Sequence, residues 1–451
     1  MRLIVKLIIS VLLLCIHVNF AYSEILTLQQ AVSIALKDSP ALKSYHWIVE
    51  AQKEDVKTAK GSLYPKVRIE ERYQRTDNPT YGFMAKLNQE RFTQDDFIID
   101  SLNNPRDISD FQTSLSFEQP LFVPLAYSGV RISAQELEAK QAEYHRKKEE
   151  VILDVVKTFT RVQTAREYLT AAQRGMEDAR EHKRIASLKY ETGMGLYSDV
   201  LRAEVSVKGA ESMLVRAESN YDVARRALGL VIGRTGPVDV SGDKPVLLVD
   251  NLQNYLDISV QRNDLSALRL RYKNSQTAVE MEKSVFLPEI GVGGSYFLND
   301  HKDPFSPEGE SYMIAGFLRW NLFDASAYHR IRKAKTRVRE AEEHISGLEK
   351  EIDFRINEAY IRVREMEQNL SLSRALLTEA EEALRLVRLR YENALAPLVD
   401  LLDTQAVLDR ARAGLAEADN AYLNAIADLY YQSGVLLTSL LKNEKLHGEE
   451  F

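Results

Sequence analysis

The stretch QPLFVPLAYSGVR at residues 119–131 occurs a second time in the chain, as WNLFDASAYHRIR at residues 320–332. Each copy follows a segment that alternates between apolar and polar residues, and each precedes a long tract almost free of proline. The repeated stretch therefore predicts a junction between a strand and a long helix, made twice. Identical residues lie at a constant offset of 201, among them Leu121/Leu322, Phe122/Phe323, Tyr127/Tyr328 and Arg131/Arg332.

The repetition extends well beyond this junction. Downstream, the same offset of 201 brings YETGMGLYSDV (190–200) onto YENALAPLVDL (391–401). Upstream, Pro65 of LYPKVRIEERY is matched by Pro288 of FLPEIGVGGSY, at an offset of 223. The difference of 22 residues (223 − 201) is extra length in the first loop, between about residues 76 and 110.

We interpret the chain as a tandem duplication of one unit of about 200 residues. The first structural repeat covers residues 24–245 and the second covers residues 246–451. Each repeat is expected to run in the order helix, two barrel strands, long helical hairpin. This interpretation explains why two similar helix turns occur in one chain.

Proline placement predicts long helices. Residues 125–236 contain no proline, and residues 308–451 contain only Pro397. Because proline inside a helix costs about 3 kcal/mol, such tracts favour uninterrupted helices. We expect one helix from about Ala126 to Thr192, which would be about 100 Å long. Apolar residues recur along it at near-heptad spacing, which indicates coiled-coil packing: Val155, Val162, Leu169 and Met176.

Four segments outside the helical tracts predict strands: residues 66–75, 111–121, 289–298 and 311–323. Their alternation fits transmembrane barrel strands, although taken alone it fits a soluble sheet equally well. A sheet in lipid must close, because open edges leave backbone groups unpaired. Four strands cannot close and eight leave no pore, whereas twelve strands from three chains do. We therefore expect a mixed α and β fold, a transmembrane β-barrel with a long α-helical coiled-coil barrel, closed only as a trimer.

The N-terminus predicts a secretory signal peptide at residues 1–23. Arg2 and Lys6 precede a short apolar core, and small residues come before the expected cleavage site. An uncleaved anchor helix is the alternative, but the apolar run is shorter than the about 20 residues that a spanning helix needs. Lipidation at Cys15, the only cysteine, is disfavoured by Leu14, and cleavage would leave a mature protein without a thiol.

Composition narrows the functional classes. A hydrophobic content of 45% and a mean hydropathy of −0.29 exclude a polytopic helical membrane protein and a disordered chain. The net charge of −7 gives no support for nucleic-acid binding. The eight histidines are scattered and no phosphate-binding loop occurs, so no catalytic, cofactor-binding or metal site is predicted.

The order of these motifs, made twice, resembles the TolC family of outer-membrane efflux proteins. The resemblance implies a trimeric channel in the cell outer membrane with a periplasmic extension. Such a channel serves as the exit duct of a tripartite efflux pump or a type I secretion system. A periplasmic coiled-coil adaptor is the alternative, although an adaptor would not repeat the whole unit.

The resemblance also implies roles for the two helix turns. Gly193, Met194, Gly195 and Leu196 would contact a periplasmic adaptor protein. Asp400 and Asp403 would line the pore constriction; the alternative is two solvated acids on a surface helix. Tyr391 and Asp199 would form a lock between the two turns in the closed state. Ala396 stands where the family has a basic partner, and Ala394 stands opposite Gly193.

The implied partners are two further copies of the chain, the adaptor, outer-membrane lipid, and an inner-membrane pump or ABC transporter. The residues do not distinguish efflux from protein secretion, and they do not identify the cargo. The role of the long loop at residues 76–110 is likewise open.

Overall fold

The structure is a computed structural model that describes residues 25–242, 248–393 and 395–440. The predicted signal peptide and Cys15 lie outside these residues. The helices are α1 (Leu28–Asp38), α2 (Pro40–Gly61), α3 (Pro79–Asn88), α4 (Ile99–Asn103), α5 (Pro124–Glu191), α6 (Tyr197–Val231), α7 (Leu252–Ser259), α8 (Asn263–Lys283), α9 (Ala325–Glu392) and α10 (Leu398–Ser433). The strands are β1 (Ile25–Leu26), β2 (Lys66–Thr76), β3 (Ile108–Phe122), β4 (Asp239–Val240), β5 (Glu289–Asp300) and β6 (Gly309–Arg319).

The fold is mostly helical, and the long helices are confirmed. Helix α5 begins at Pro124 and ends at Glu191, within two residues of the predicted bounds at each end. Helices α5 and α9 each contain 68 residues, and they begin 201 positions apart (325 − 124). Among the described helices, none is both long enough and apolar enough to cross a membrane.

Glycines in the left-handed region follow three of the helices. Gly193, Gly233 and Gly434 have φ angles of 75°, 80° and 78°. Residues with a Cβ avoid this region, so these positions end α5, α6 and α10 and let the chain turn back. At the other end of a helix, Thr27 and Gln30 form a capping box that begins α1.

The principal sheet has four antiparallel strands in the order β2-β3-β5-β6, so β2 and β6 form its outer edges. The register aligns Ile69 with Leu115, Leu115 with Tyr296, and Tyr296 with Tyr312. The predicted strands are confirmed, except that the last one ends at Arg319 instead of residue 323. Strands β1 and β4 pair in parallel as a separate short sheet.

The long loop between β2 and β3 is folded, which the sequence did not predict. Asn78 caps α3, which begins at Pro79, and a 3-10 turn and α4 follow. The buried Gln89 donates hydrogen bonds from Nε2 to Asp110 Oδ1 (2.8 Å) and to the backbone oxygen of Ser109 (2.9 Å). These two hydrogen bonds attach the loop to the first residues of β3.

The chain divides into two compact units. The sheet unit comprises Ile48–Ala142 and Ser266–Ser346, and it holds β2, β3, β5 and β6. The hairpin unit comprises the described residues of Met1–Trp47, Glu143–Leu265 and Gly347–Phe451. It holds both turns between long helices. Its most buried large side chains include Phe159, Ile152, Leu228, Ile426 and Leu429.

Candidate functional site

The turn between α5 and α6 is a tight exposed cap. The backbone N–H of Gly193 donates to Tyr190 O (3.0 Å), and that of Met194 donates to Lys189 O (2.8 Å). This pair of bonds is the Schellman arrangement, which uses a left-handed residue to satisfy the last helix carbonyls. A Cβ on Gly195 would lie 3.0 Å from Lys189 Cβ, so the chain also passes closely over α5 there.

The turn between α9 and α10 is built on the same plan. The backbone N–H of Leu395 donates to Arg390 O (2.8 Å), and Pro397 forms the N-cap of α10. Proline is tolerated here because the first N–H groups of a helix have no partner within the helix. Ala394, which the sequence aligned with Gly193, lies outside the described residues.

Apolar contacts join the two turns below their tips. Tyr391 and Leu398 belong to one buried cluster with Ala186 of α5 and Ala203 of α6. Tyr391 is 5% exposed and Leu398 is 1% exposed. Burial of this kind stabilises by roughly 25 cal/mol per Å² of apolar surface, so the cluster holds the two helical hairpins together.

Lys189 bridges the two hairpins beside this cluster. Its ammonium lies 4.0 Å above the centre of the Tyr391 ring and donates a hydrogen bond of 2.6 Å to the Tyr391 backbone oxygen. Burial raises the pKa of the Tyr391 phenol, and the negative charge of Asp199 raises it further. Asp199 is therefore close enough to act on Tyr391 electrostatically. Among the described residues, no hydrogen bond joins the two side chains.

A partly buried polar cluster lies deeper along the same pair of hairpins. Asp178 Oδ1 of α5 is 3.6 Å from Arg388 of α9, and Gln405 Nε2 of α10 donates to Asp178 Oδ2 (3.3 Å) and to Asp409 Oδ1 (3.0 Å). His182 is 1% exposed, and neither of its ring nitrogens has a hydrogen-bond partner in the described chain.

Burial in this cluster favours the uncharged forms of His182 and Asp409. Burial lowers the pKa of His182, and the Arg388 charge lowers it further, against the opposing effect of Asp178. Burial raises the pKa of Asp409, although its hydrogen bond from Gln405 and the charge of Arg412 act in the other direction. A groove of about 630 Å³ lined mainly by small residues of α5, α6 and α10 opens beside His182.

Asp400 and Asp403 are both exposed near the start of α10. Leu398 and Leu401, each 1% exposed, face the buried cluster instead. The three-residue spacing of the two acids therefore puts them on one solvent-facing side of the helix. The two acids therefore face solvent, whereas Tyr391 lies in the buried cluster.

The four residues predicted to contact an adaptor form the tip of the first turn. Met194 and Leu196 are 76% and 67% exposed. Gly193 is also exposed, and Gly195 is half-buried.

Two important residues escaped the sequence reasoning. Lys189 places a cation beside Tyr391. The basic partner implied by the resemblance would stand at Ala396, on the other hairpin. The sequence carried no signal for the contact that Lys189 makes, because Tyr391 lies 202 positions away from it. His182 gave no signal, since a lone histidine among apolar helix positions reads as an ordinary core residue.

Comparison with known families gives an extensive match. The family model described as "Outer membrane efflux protein" matches residues 31–234 and 255–435. Two characterised relatives cover most of the chain. The alkaline protease secretion protein AprF of Pseudomonas aeruginosa is 22% identical over 349 residues, which are 73% of this chain and 71% of AprF. Protein CyaE of Bordetella pertussis is 22% identical over 397 residues, which are 84% of this chain and 78% of CyaE.

Solved structures share the fold. The outer membrane channel CmeC of Campylobacter jejuni superposes with a TM-score of 0.74 at 17% identity, covering 92% of this chain and 89% of CmeC. The open state of the MtrE outer membrane channel of Neisseria gonorrhoeae gives a TM-score of 0.72 at 18% identity, covering 91% and 89% of the two chains. The chain therefore belongs to the outer membrane efflux protein family, and it is an outer-membrane channel with a periplasmic tunnel that serves as an exit duct.

Proposed function

We propose that three copies of the chain close a twelve-stranded barrel that continues into a tunnel of long helices. The observation that carries this proposal is the open sheet, which has two unpaired edge strands and an uncovered apolar face. Unpaired backbone groups cost several kcal/mol each in lipid, so the edges need partners. Pairing β6 of one chain with β2 of the next supplies them.

The two faces of the sheet support a membrane position. On one face, Ile69, Leu115 and Tyr312 are 66%, 50% and 77% exposed and lie in one cross-strand row. The row on the other face that contains Glu70 and Ser114 is largely polar. An apolar outer face and a polar inner face are what a water-filled barrel in lipid requires.

The tandem duplication remains part of the proposal, with repeats at residues 24–245 and 246–451. The equal lengths of α5 and α9 and the similar turns that follow them support it. Two similar repeats in each of three chains would give the tunnel pseudo-sixfold symmetry.

The tunnel entrance is proposed to lie at the two turns. Asp400 and Asp403 of three chains would form a ring of six carboxylates that narrows the pore. Lys189, Tyr391 and Asp199 would hold the two hairpins together in the closed state. Their contacts across the hairpins support this assignment.

The proposed partners are a periplasmic adaptor and an inner-membrane pump or ABC transporter. The apolar tip at residues 193–196 and the groove beside His182 offer an adaptor a surface. AprF is by its name a protein-secretion component. The similarity to it therefore supports polypeptide cargo as an alternative to small-molecule efflux.

Disulfide scanning across the sheet edges tests the trimer. The variant Tyr312→Cys on β6 is combined in turn with Val67→Cys, Ile69→Cys and Tyr73→Cys on β2. The one native cysteine lies in the predicted signal peptide, so the background is expected to be free of thiols. At one register, oxidation should link three chains covalently on a denaturing gel.

The matched control joins strands within one chain. Ile69 and Leu115 are directly opposed in the β2–β3 pair, so Ile69→Cys with Leu115→Cys should form an internal link without a change in mass. A monomeric mass in mild detergent, with no intermolecular link at any register, would contradict the proposed assembly.

A further inference from the structure

The turn between β5 and β6 brings three side chains of metal-binding type together. Asp300 is the last residue of β5, His301 follows it, and Glu308 directly precedes β6. One ligand atom of each residue lies within 4.8 Å of the other two. His301 Nδ1 is 2.6 Å from a Glu308 oxygen and 3.9 Å from an Asp300 oxygen.

These separations suit a metal ion. With metal–ligand bonds of about 2.1 Å, neighbouring ligand atoms lie about 3.0–3.4 Å apart in octahedral or tetrahedral sites. The His301–Glu308 distance is shorter than this range, and the His301–Asp300 distance is longer. Side-chain rotations that shift each ligand atom by less than about 1 Å would therefore place these atoms around an ion.

We propose that Asp300, His301 and Glu308 bind a divalent transition-metal cation such as Zn²⁺. One imidazole with two carboxylates suits Zn²⁺ and its first-row neighbours, whereas Ca²⁺ and Mg²⁺ prefer oxygen ligands alone. The imidazole sets this cluster apart from an ordinary group of solvated acids.

The surrounding turn holds the ligands in place. Asp300 Oδ1 accepts hydrogen bonds from the backbone N–H groups of Lys302 (2.6 Å) and Asp303 (3.0 Å). Glu308 Oε2 accepts one from the backbone N–H of His301 (3.2 Å). Partners of this kind orient metal ligands and strengthen binding.

The ligands are sheltered but reachable. The side chains of His301 and Glu308 are 25% and 27% exposed, and that of Asp300 is 10% exposed. An incoming ion would take the place of the hydrogen bond between His301 Nδ1 and Glu308 Oε2, and the neutral imidazole would then carry its one proton on Nε2.

The positive charge of Arg91 repels a bound cation. Removing this charge therefore predicts the direction in which the metal affinity changes. The Nε of Arg91 lies 3.7 Å from Glu308 Oε1. Two carboxylates and one guanidinium leave the site with a net negative charge when the imidazole is neutral. Arg91→Gln should therefore tighten metal binding by several-fold, whereas a turn held only by hydrogen bonds would show no such gain.

Zinc titration tests the site directly. The full mature protein is purified in mild detergent without a histidine tag and titrated with ZnCl₂ by calorimetry. Wild type should bind one Zn²⁺ per chain at this site. His301→Asn keeps an N–H donor near the position of Nδ1, yet it should weaken binding at least about 100-fold, since losing even an outer partner of a ligand costs about 10–100-fold. Glu308→Gln should do the same.

His329→Asn is the matched control, because His329 is an exposed histidine in α9 of the same unit. Its zinc binding should equal that of wild type. Equal binding by His301→Asn and wild type would overturn the proposal.

A second measurement needs no variant. Wild-type protein loaded with Co²⁺ should show visible bands distinct from those of hydrated Co²⁺, as nitrogen and carboxylate ligands require. A spectrum of the hydrated ion alone overturns the proposal. All three ligands come from one chain, so the result does not depend on trimer formation.

Discussion

At the scale of single residues, Lys189 links the two hairpins directly beside their turns. It offers a cation–π contact to the Tyr391 ring and a charged hydrogen bond to the Tyr391 backbone. Such contacts are worth about 0.5–2 kcal/mol and about 1.5–3 kcal/mol. The Tyr391 phenol interacts with Asp199 through charge, and the lock between these two side chains stays a prediction.

Lys189→Gln should make the channel leaky in the absence of its pump. The substitution removes the cation from both contacts and leaves the apolar cluster intact. Single-channel conductance in planar bilayers should show more frequent opening, and pump-deleted cells should take up more of a large antibiotic.

Lys183→Gln is the matched control, since Lys183 pairs with Glu204 inside the first hairpin and does not reach the second. It removes the same charge from the same helix. If both variants leak equally, general loss of charge is responsible and Lys189 is no lock.

His182 should make the hairpin unit sensitive to acid. Its pKa in the folded chain lies below the ordinary value of about 6.5, because the buried ring is held neutral. Its contribution to stability is complete above the ordinary pKa and is lost as the pH falls through the folded-state pKa. His182→Gln should therefore reduce the fall in Tm between about pH 7.5 and pH 5.

Asp409 has the opposite effect on the pH dependence of stability. Its pKa is raised, so its carboxyl gains stability as the pH falls and offsets part of the histidine effect. Asp409→Asn should enlarge the fall in Tm as the pH is lowered further, towards the ordinary carboxyl pKa of 3.8. An identical fall in wild type and in both variants would show that neither group governs the acid response.

At the scale of elements, the two helix turns depend on glycine geometry. Gly193→Ala should weaken the end of α5, because the φ of 75° costs a residue with a Cβ about 1–2 kcal/mol. Hydrogen exchange in the peptide covering residues 188–199 should accelerate by roughly 5–30-fold.

Gly414→Ala is the control for this substitution. Gly414 lies inside α10 with nothing within 4 Å of an added Cβ, so alanine should stabilise its helix by about 0.5–1 kcal/mol and slow exchange there. Slower exchange around Gly193→Ala would mean that the left-handed turn is not required.

The elements were predictable where the sequence carries strong local signals. The bounds of α5 follow from Pro124 and from the glycine at residue 193 that ends the turn. The helices of the loop between β2 and β3 were missed because they are short, although Asn78 before Pro79 is a helix-start signal. Lys189 was missed for another reason: its partner Tyr391 is 202 positions away, and sequence spacing does not report such contacts.

At the scale of the whole molecule, Asp400 and Asp403 should give the assembled entrance a preference for cations. Clustered carboxylates attract cations and repel anions. The double variant Asp400→Asn with Asp403→Asn should lower sensitivity to block by multivalent cations in planar bilayers and reduce cation selectivity.

Glu340→Gln with Glu343→Gln is the control, because these exposed acids of α9 have the same three-residue spacing. Block should not change in this variant. Unchanged block in the aspartate variant would place the constriction elsewhere.

The assembled molecule was less predictable than its parts. Strand alternation around Ile69 and Leu115 indicates an apolar face, but it does not say what covers that face. The proposed trimer rests only on the physical requirement that a sheet in lipid has no edge. The proposed constriction at Asp400 would be a property of several chains around one axis, so a single sequence predicts it only through resemblance.

The two free edges of the sheet also matter before assembly, while the chain crosses the periplasm. Strands β2 and β6 then offer 11 residues each to any passing strand, next to an uncovered apolar face. Aggregation through such edges grows at least with the square of chain concentration, whereas capture by an abundant holdase chaperone grows only linearly. Fast synthesis should therefore send a larger share of the chains into aggregates. The yield of native channel should then be limited by the supply of chaperone before it is limited by the space in the membrane.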